Sequence, residues 1–288
     1  MERLLPMVEA ALEATGLTAG DLDAVAVTNR PGLIGCLLVG LSVAKTLALS
    51  LDRPLVGVDH LEAHLFAAFQ TEPELALPML GLVASGGHTA LYLVEDPTRV
   101  RKLGGTIDDA AGEALDKGAA MLGLGYPGGP AIERCAREGD AAAHRFKRGV
   151  LDREGLDVSF SGLKTALLYH LRGPGLQREL PELDARPRAD LAASYQEAVV
   201  ETLVAKLALA AVRHDVATVS IGGGVARNAR LRELIDRDPG LAGRRLVFPP
   251  LDLCSDNAAM VAGLGAWHLA RGRTDPLDLE AHARSALR

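Results

Sequence analysis

Aromatic side chains are scarce: Phe, Tyr and Trp make up 3% of the 288 residues. Any core must therefore be built from aliphatic and alanine packing, for which a hydrophobic content of 48% is ample. Cysteine is scarcer still. Cys36, Cys135 and Cys254 lie far apart, which excludes a zinc ribbon or a paired redox motif and suits a reducing compartment. There is no excess of positive charge. A formal net charge of −6 excludes a protein that coats nucleic acid through bulk charge, although it leaves room for a local basic face. The opening residues Met1-Glu2-Arg3-Leu4-Leu5-Pro6 have no signal-peptide pattern. The most apolar run, Leu33 to Ala44, is interrupted by Lys45 before a bilayer's thickness is reached, so a buried helix is expected there and no membrane partner.

What is abundant is glycine, 31 residues, much of it gathered in short motifs where backbone can approach a ligand. Residues 2–15 have the spacing of an amphipathic helix ended by Gly16. A strand is expected over 23–28, a turn at Asn29-Arg30-Pro31-Gly32, a helix over 33–50, a strand over 54–58 and a helix over 59–70. Strands alternating with helices indicate a parallel α/β sheet. After Pro78 the grammar changes. Strands at 80–84 and 90–94 flank Ser85-Gly86-Gly87-His88-Thr89, a hairpin signal, with a third strand near 100–103. Helices follow at 109–122 and 128–138. Residues 140–187 are mixed and charged, with insertions expected. Then come a long helix at 188–214, a strand at 217–221, a glycine turn, a helix at 226–236, a strand at 245–248 and a helix at 254–271. The polar tail from Arg273 is expected to be loosely held.

Four constellations carry chemistry. In His60-Leu61-Glu62-Ala63-His64 the histidines are four apart, ~400° around a helix, so both imidazoles can face one cation. Asp59 suits an N-cap and a supporting acceptor. This is not the HExxH arrangement of zinc peptidases, because Glu62 does not follow the first histidine, and two solvated or capping histidines would give the same spacing. Asp256, in Cys254-Ser255-Asp256-Asn257, offers a carboxylate before a helix, either as an N-cap or as a third ligand of a two-histidine, one-carboxylate site. The glycine clusters at 86–87, 104–105, 128–129 and 222–224 can form anion nests or plain turns. In Asp108-Asp109 through Lys117, Asp109, Glu113 and Asp116 share one helix side, as a functional group or as a solvated acidic face. Phe160-Ser161-Gly162-Leu163-Lys164-Thr165 places a cation in a small-residue turn but lacks the glycine spacing of a phosphate-binding P-loop.

DHLEAH, VASGGHTAL, DDAAGEALDK, GLGYPGGPAIE, SFSGLKTA, SYQEAVVETLVAK, GGGVARN and SDNAAM occur in this order. In this the sequence resembles the tRNA N6-adenosine threonylcarbamoyltransferase family (TsaD, of the universal Kae/Gcp type) over essentially its whole length. The resemblance implies an α/β, actin/sugar-kinase/Hsp70-like (ASKHA, ribonuclease-H-like) two-lobed fold. It implies a cytoplasmic acyltransferase that moves a threonylcarbamoyl group from threonylcarbamoyl-AMP to adenosine-37 of ANN-decoding tRNAs, releasing AMP. By motif position, His60, His64 and Asp256 would bind one divalent metal, Fe2+ with Zn2+ as the alternative. Val83, Ala84, Ser85, Gly86 and Gly87 would contact the adenylate, and Asp116, Gly129, Glu133 and Asn228 the nucleotide or its ribose. Beyond the metal site no catalytic residue is assigned. Partners implied are tRNA, a TsaB-like paralogue and a TsaE-like ATPase. Arg134, Arg145, Lys147, Arg148, Arg227 and Arg230 are candidates for a basic rim toward tRNA.

The chain departs from the family at two places. Members usually open with further strands, including a TCDET-like segment, so the first lobe is expected to be incomplete over 1–76. The second lobe with helical insertions is expected over 77–272 and a tail over 273–288. Arg30 stands where glycine usually precedes Pro-Gly and would meet the cleft or an anion. The alternative function is a non-catalytic binding subunit of the modification complex, inactive through truncation. A metalloprotease would rest on the histidines alone, and a sugar kinase or ATPase lacks its first phosphate hairpin.

Overall fold

The computed structural model describes residues 3–173, 175 and 179–287. The expected helix start at residue 2 lies outside them. The chain divides into two compact units, Met1–Thr71 with Asn257–Arg288, and Glu72–Asp256. This grouping differs from the sequence-based division in that the last long helix and the tail join the N-terminal segment.

In the first unit, α1 (Leu4–Thr15) ends at Gly16, whose φ of 69° is the left-handed cap that glycine adopts without cost. β1 (Val25–Arg30) and β2 (Leu55–Asp59) pair in parallel, joined by α2 (Ile34–Leu51), and α3 (His60–Thr71) follows directly from β2. β1 runs on through Asn29 and Arg30, which the sequence reading gave to a turn, because Arg30 pairs with Asp59 after a register shift. Val56, Val58, Ala63, Phe66 and Ala67 form a small core with Met260 and Leu264 of α10 (Ala258–Leu269). Gly265 lets α10 lie against β1, since a Cβ there would fall 2.5 Å from that of Ala26.

Two expectations in this unit give way. α2 is long and apolar enough to cross a membrane, but only Leu41, Ala44 and Ala48 are buried, and Leu38 and Leu49 stand in solvent. Its main neighbours are β1 and β2, so one stripe is covered rather than the whole circumference. The tail is pinned rather than loose. Asp275 pairs its backbone N–H to Leu55 O at 2.8 Å and accepts from Gly57 N–H at 2.8 Å, and Leu279 packs against the β1–β2 layer. Asp59 accepts from Ser285 Oγ at 2.6 Å and Ala286 N at 2.9 Å. Edge backbone groups that would otherwise need water thus find partners in the tail.

The second unit is a five-stranded sheet in the order β5-β4-β3-β6-β7. β3 (Met79–Ala84), β4 (Thr89–Asp96) and β5 (Arg99–Gly105) form an antiparallel meander; β6 (Thr218–Gly222) and β7 (Arg245–Val247) extend it in parallel from β3. All six residues of β3 are buried, as expected of a central strand covered on both faces. The helices are α4 (Ala111–Met121), α5 (Gly128–Ala136), α6 (Ser161–Arg172), α7 (Ala185–Arg213), α8 (Ala229–Arg237) and the single turn α9 (Leu251–Cys254). α6 was not foreseen. Its signal is Leu163, Leu167 and Leu171, all buried at helical spacing. α7 is the spine of the core, and Gly118 of α4 meets the ring of its Tyr195 so closely that a Cβ would lie 2.5 Å from the ring. The Tyr195 hydroxyl donates to Ala114 O at 2.9 Å, and burial pushes its pKa upward.

Candidate active site

Backbone approach shapes the site of the larger unit. The β3–β4 turn closes with Ser85 N–H on His88 O at 2.8 Å and His88 N–H on Ser85 Oγ at 3.1 Å. Gly112, in the first turn of α4, donates to Ser85 O at 3.1 Å, and a Cβ there would sit 2.6 Å from that oxygen. Only glycine permits this approach. Gly128 donates to Asp116 Oδ1 at 2.7 Å, fastening the start of α5 to α4. Gly223, at φ 88°, turns β6 toward α8 while touching the Ala84 carbonyl.

These turns border one cavity of about 540 Å3. Its wall includes Gly86, Gly112, Asp116, Gly129, Glu133, Gly224, Arg227 and Asn228, so five residues assigned to the adenylate or its nucleotide meet there: Gly86, Asp116, Gly129, Glu133 and Asn228. Val83 and Ala84 do not reach that wall; they are wholly buried in β3 and support the turn from beneath. Ser85 and Gly87 flank Gly86 in the same turn.

The carboxylates are partly spent on structure. Asp116 has one oxygen on Gly128, leaving the other for a ligand hydroxyl. Glu133 accepts from Ala229 N–H at 3.2 Å. Asn228 is more committed: its oxygen caps α8 through Leu231 N–H at 3.0 Å and its amide donates to Gln196 Oε1 at 2.8 Å. It therefore shapes the wall more than it offers donors. The acidic side of α4 is neutralised from within, because Lys117 reaches Asp109 at 2.8 Å and Glu113 at 2.9 Å. Sequence reasoning missed Tyr126 and Ser255 on the cavity wall. Tyr126 is 86% exposed before a cis Pro127, and an exposed ring on a cavity rim is its only signal.

Asp108 organises the adjoining loop. It accepts from Ser159 Oγ at 2.5 Å, Ser161 Oγ at 2.7 Å, Phe160 N–H at 2.8 Å and Ser161 N–H at 3.3 Å. Burial works against its charge, but these bonds prevail and hold its carboxyl at about 2.

In the smaller unit, Asp59 caps α3 through Leu61 N–H at 2.9 Å, as its position suggested. Its other oxygen goes to the tail. His60 and His64 stack edge to face with ring centroids 4.6 Å apart, and each offers a nitrogen within 4.8 Å of the other's. Two imidazoles at that separation can both reach one cation at ordinary ligand distances. Glu62 is pushed up to about 7, first by burial and then by the charge of Asp59, with Arg273 and Arg30 opposing. Asp256 immediately precedes Asn257, whose side chain caps α10 through Met260 N–H at 2.8 Å. α10 packs on α3 in turn, with Gln70 donating to Ala259 O at 2.9 Å.

The family model described as tRNA N6-adenosine threonylcarbamoyltransferase, TsaD, matches residues 1–263. The chain belongs to this family. The transferase so named from Anaeromyxobacter dehalogenans (strain 2CP-1) is 52% identical over 280 residues, covering 97% of this chain and 82% of the relative. That from Moorella thermoacetica is 48% identical over 284 residues, covering 98% and 81%. Among solved structures, HypF of T. kodakarensis superposes with a TM-score of 0.64 at 18% identity, covering 92% of this chain and 43% of HypF. The larger unit's meander extended by parallel strands is the ribonuclease-H-like arrangement, and the fold is of the ASKHA type expected from the motifs. The non-catalytic alternative is not favoured, since relatives matched over nearly the whole chain are named as the transferase.

Proposed function

We infer that the chain transfers the threonylcarbamoyl group of threonylcarbamoyl-AMP to the exocyclic amine of adenosine-37 in ANN-decoding tRNAs, in the cytoplasm. The observation that carries this reading is the cavity at which the β3–β4 glycine turn, the α4 and α5 carboxylates and the short turn Gly224–Arg227 after β6 meet. The amine nitrogen attacks the carbamoyl carbon, a C–N bond forms, the bond from that carbon to the phosphate oxygen breaks, AMP leaves with the electron pair, and the extra proton on the attacking nitrogen passes to water. A mixed anhydride is already activated, so positioning and charge stabilisation supply most of the catalysis. Asp116 and Glu133 accept from the ribose hydroxyls. The amides of Gly86 and Gly87 face the phosphate, and Val83, Ala84 and Ser85 hold that turn in place. Gly129 lets the sugar approach α5, and Asn228 holds the wall opposite.

His60 and His64 would hold one divalent metal, Fe2+ or Zn2+, with Asp256 as the third donor that the family's motif assigns. Two neutral imidazoles and a carboxylate suit either ion, and when bound it supplies a Lewis acid. The smaller unit represents the first lobe and the larger unit the second. A TsaB-like paralogue and a TsaE-like ATPase complete the assembly.

The test is direct. Purified chain, the two partners, threonylcarbamoyl-AMP and unmodified tRNA should yield threonylcarbamoyladenosine, read by mass spectrometry of digested tRNA. Absence of product with an independently loaded metal and intact partners would refute the reading.

A further inference from the structure

Residues 140–149 have no helix or strand of their own, yet α7 straps them down along one face. Asp140 N–H donates to Asp190 Oδ1 at 2.7 Å, His144 N–H to Ser194 Oγ at 3.1 Å and Gly149 N–H to Thr202 Oγ1 at 2.9 Å. Asp190, Ser194 and Thr202 recur at four and eight residues, hence on one side of the helix. Gly139 and Gly149 bound the strap, and each approaches a backbone carbonyl, of Ala189 and Ser159, too closely for a Cβ. Within it, two rings and two cations are placed differently. His144 and Phe146 turn inward, with the His144 ring 4.7 Å from that of His170 and the Phe146 ring 5.8 Å from that of Tyr195. Arg145 and Lys147 are exposed.

The neighbouring cations differ from these two. Arg148 holds Glu201 in a fork at 2.7 and 3.1 Å, and Arg230 holds Glu197 with two bonds at 2.7 Å. Those arginines neutralise Glu197 and Glu201 in the groove of about 770 Å3 lined by the strap and α7, whose remaining acid, Asp140, accepts from Ala142 N–H at the start of the strap. Among the described residues, no hydrogen bond or ion pair holds Arg145 or Lys147. Two uncommitted cations therefore project from an immobilised backbone, on a chain whose net charge is −6. A fixed backbone lowers the ordering cost of binding, and two cations lining one groove, two residues apart in sequence, fit the phosphates of a polynucleotide strand.

We propose that the strap is a phosphodiester-binding surface and that Arg145 and Lys147 contact the sugar-phosphate backbone of the RNA substrate. The assignment rests on the transferase reading only for the identity of the RNA. It separates two cations that contact the RNA from Arg148 and Arg230, which hold the groove.

The test uses the full chain and an unmodified ANN-decoding tRNA. Its Kd is measured by filter binding between about 50 and 200 mM KCl, for the native chain, R145A/K147A and the charge-conserving R145K/K147R. Removing two phosphate contacts should weaken binding about 10- to 100-fold at the lowest salt and reduce the log–log salt slope by about 1.5. The charge-conserving variant should keep the slope. In the complete reaction, KM for tRNA should rise while KM for the donor holds, and an unchanged melting temperature verifies folding. An unchanged Kd and slope in R145A/K147A overturns the proposal. If that variant instead loses affinity for poly-glutamate alone, the strap serves an acidic protein and the RNA assignment fails. A native chain that binds no tRNA with partners present refutes the transferase reading itself, a result distinct from failure of the variant alone.

Discussion

The two units solve different problems with different amounts of material. The larger one surrounds a fully buried central strand with helices on a continuous core, and its candidate ligand groups are backbone turns and carboxylates already wired into that core. The smaller one has two strands, a small core and an apolar helix covered along one stripe, and it depends on a returning tail for several of its backbone bonds. Its candidate ligands are side chains, the imidazoles of one helix turn. The difference teaches that the cavity is a property of the fold, whereas the histidine pair is a property of two residues on a locally capped helix. Damage to each should therefore read out differently.

The sharpest separation is expected from His60→Ala. Removing one imidazole from the donor set should eliminate bound metal and transfer, while affinity for AMP in the larger unit's cavity stays within about two-fold, because the side chain makes no part of that wall. Metal analysis, calorimetry with AMP and product assay decide it. Retained transfer without metal would sink the metal role, and a joint loss of AMP binding would show that the two units do not act separately.

The converse damage is Gly112→Val. A side chain there meets the Ser85 carbonyl and the Gly86 amide, both backbone, so the turn must shift. A stability loss of about 2–3 kcal/mol is expected, with AMP affinity lost and the histidine pair's metal retained. Urea unfolding and calorimetry measure both. Normal AMP binding would mean the close approach does not shape the cavity.

How much of this was legible beforehand follows the same division. Period and punctuation revealed the hairpin, the glycine turns and the helical pairing of His60 with His64, since each is local. The helix over Ser161–Arg172 was hidden because Gly162 weakens its first turn and its surroundings are mixed in character, although Leu163, Leu167 and Leu171 keep the spacing. The single helix expected over 254–271 breaks at Ser255, where Asn257 starts a new cap. Long-range partners were invisible. Nothing in the sequence said that Asn228 would spend its amide on Gln196 or that the tail would hold Asp59. Burial of α2 was misjudged for a related reason: hydropathy reports what a helix can bury, and its neighbours decide how much it does.

The tail offers a gentler probe of the smaller unit. Asp59→Ala removes the α3 cap and both bonds to Ser285 and Ala286. A loss of about 2 kcal/mol is expected, together with faster amide exchange over residues 275–287. Exchange confined to α3 would show that the tail is held by Asp275 and Leu279 instead.

The smallest expected effect concerns pH and belongs to the larger unit. Asp108 has its folded carboxyl at about 2, below the ordinary 3.8, through bonds to the loop that starts α6. A depressed pKa means the contribution is fully present above about 4 and is lost as pH falls toward about 2. Since the carboxylate is solvent-exposed, its worth is discounted to about 1 kcal/mol. Asp108→Asn should therefore lower stability by that amount at neutral pH and flatten the acid limb of the stability curve between about pH 4 and 2. Urea midpoints taken across that range test both. A mutant curve parallel to the native one through the acid limb would mean that Asp108 titrates alike in the folded and unfolded chain, and that the serine-rich loop is held by its packing rather than by the carboxylate.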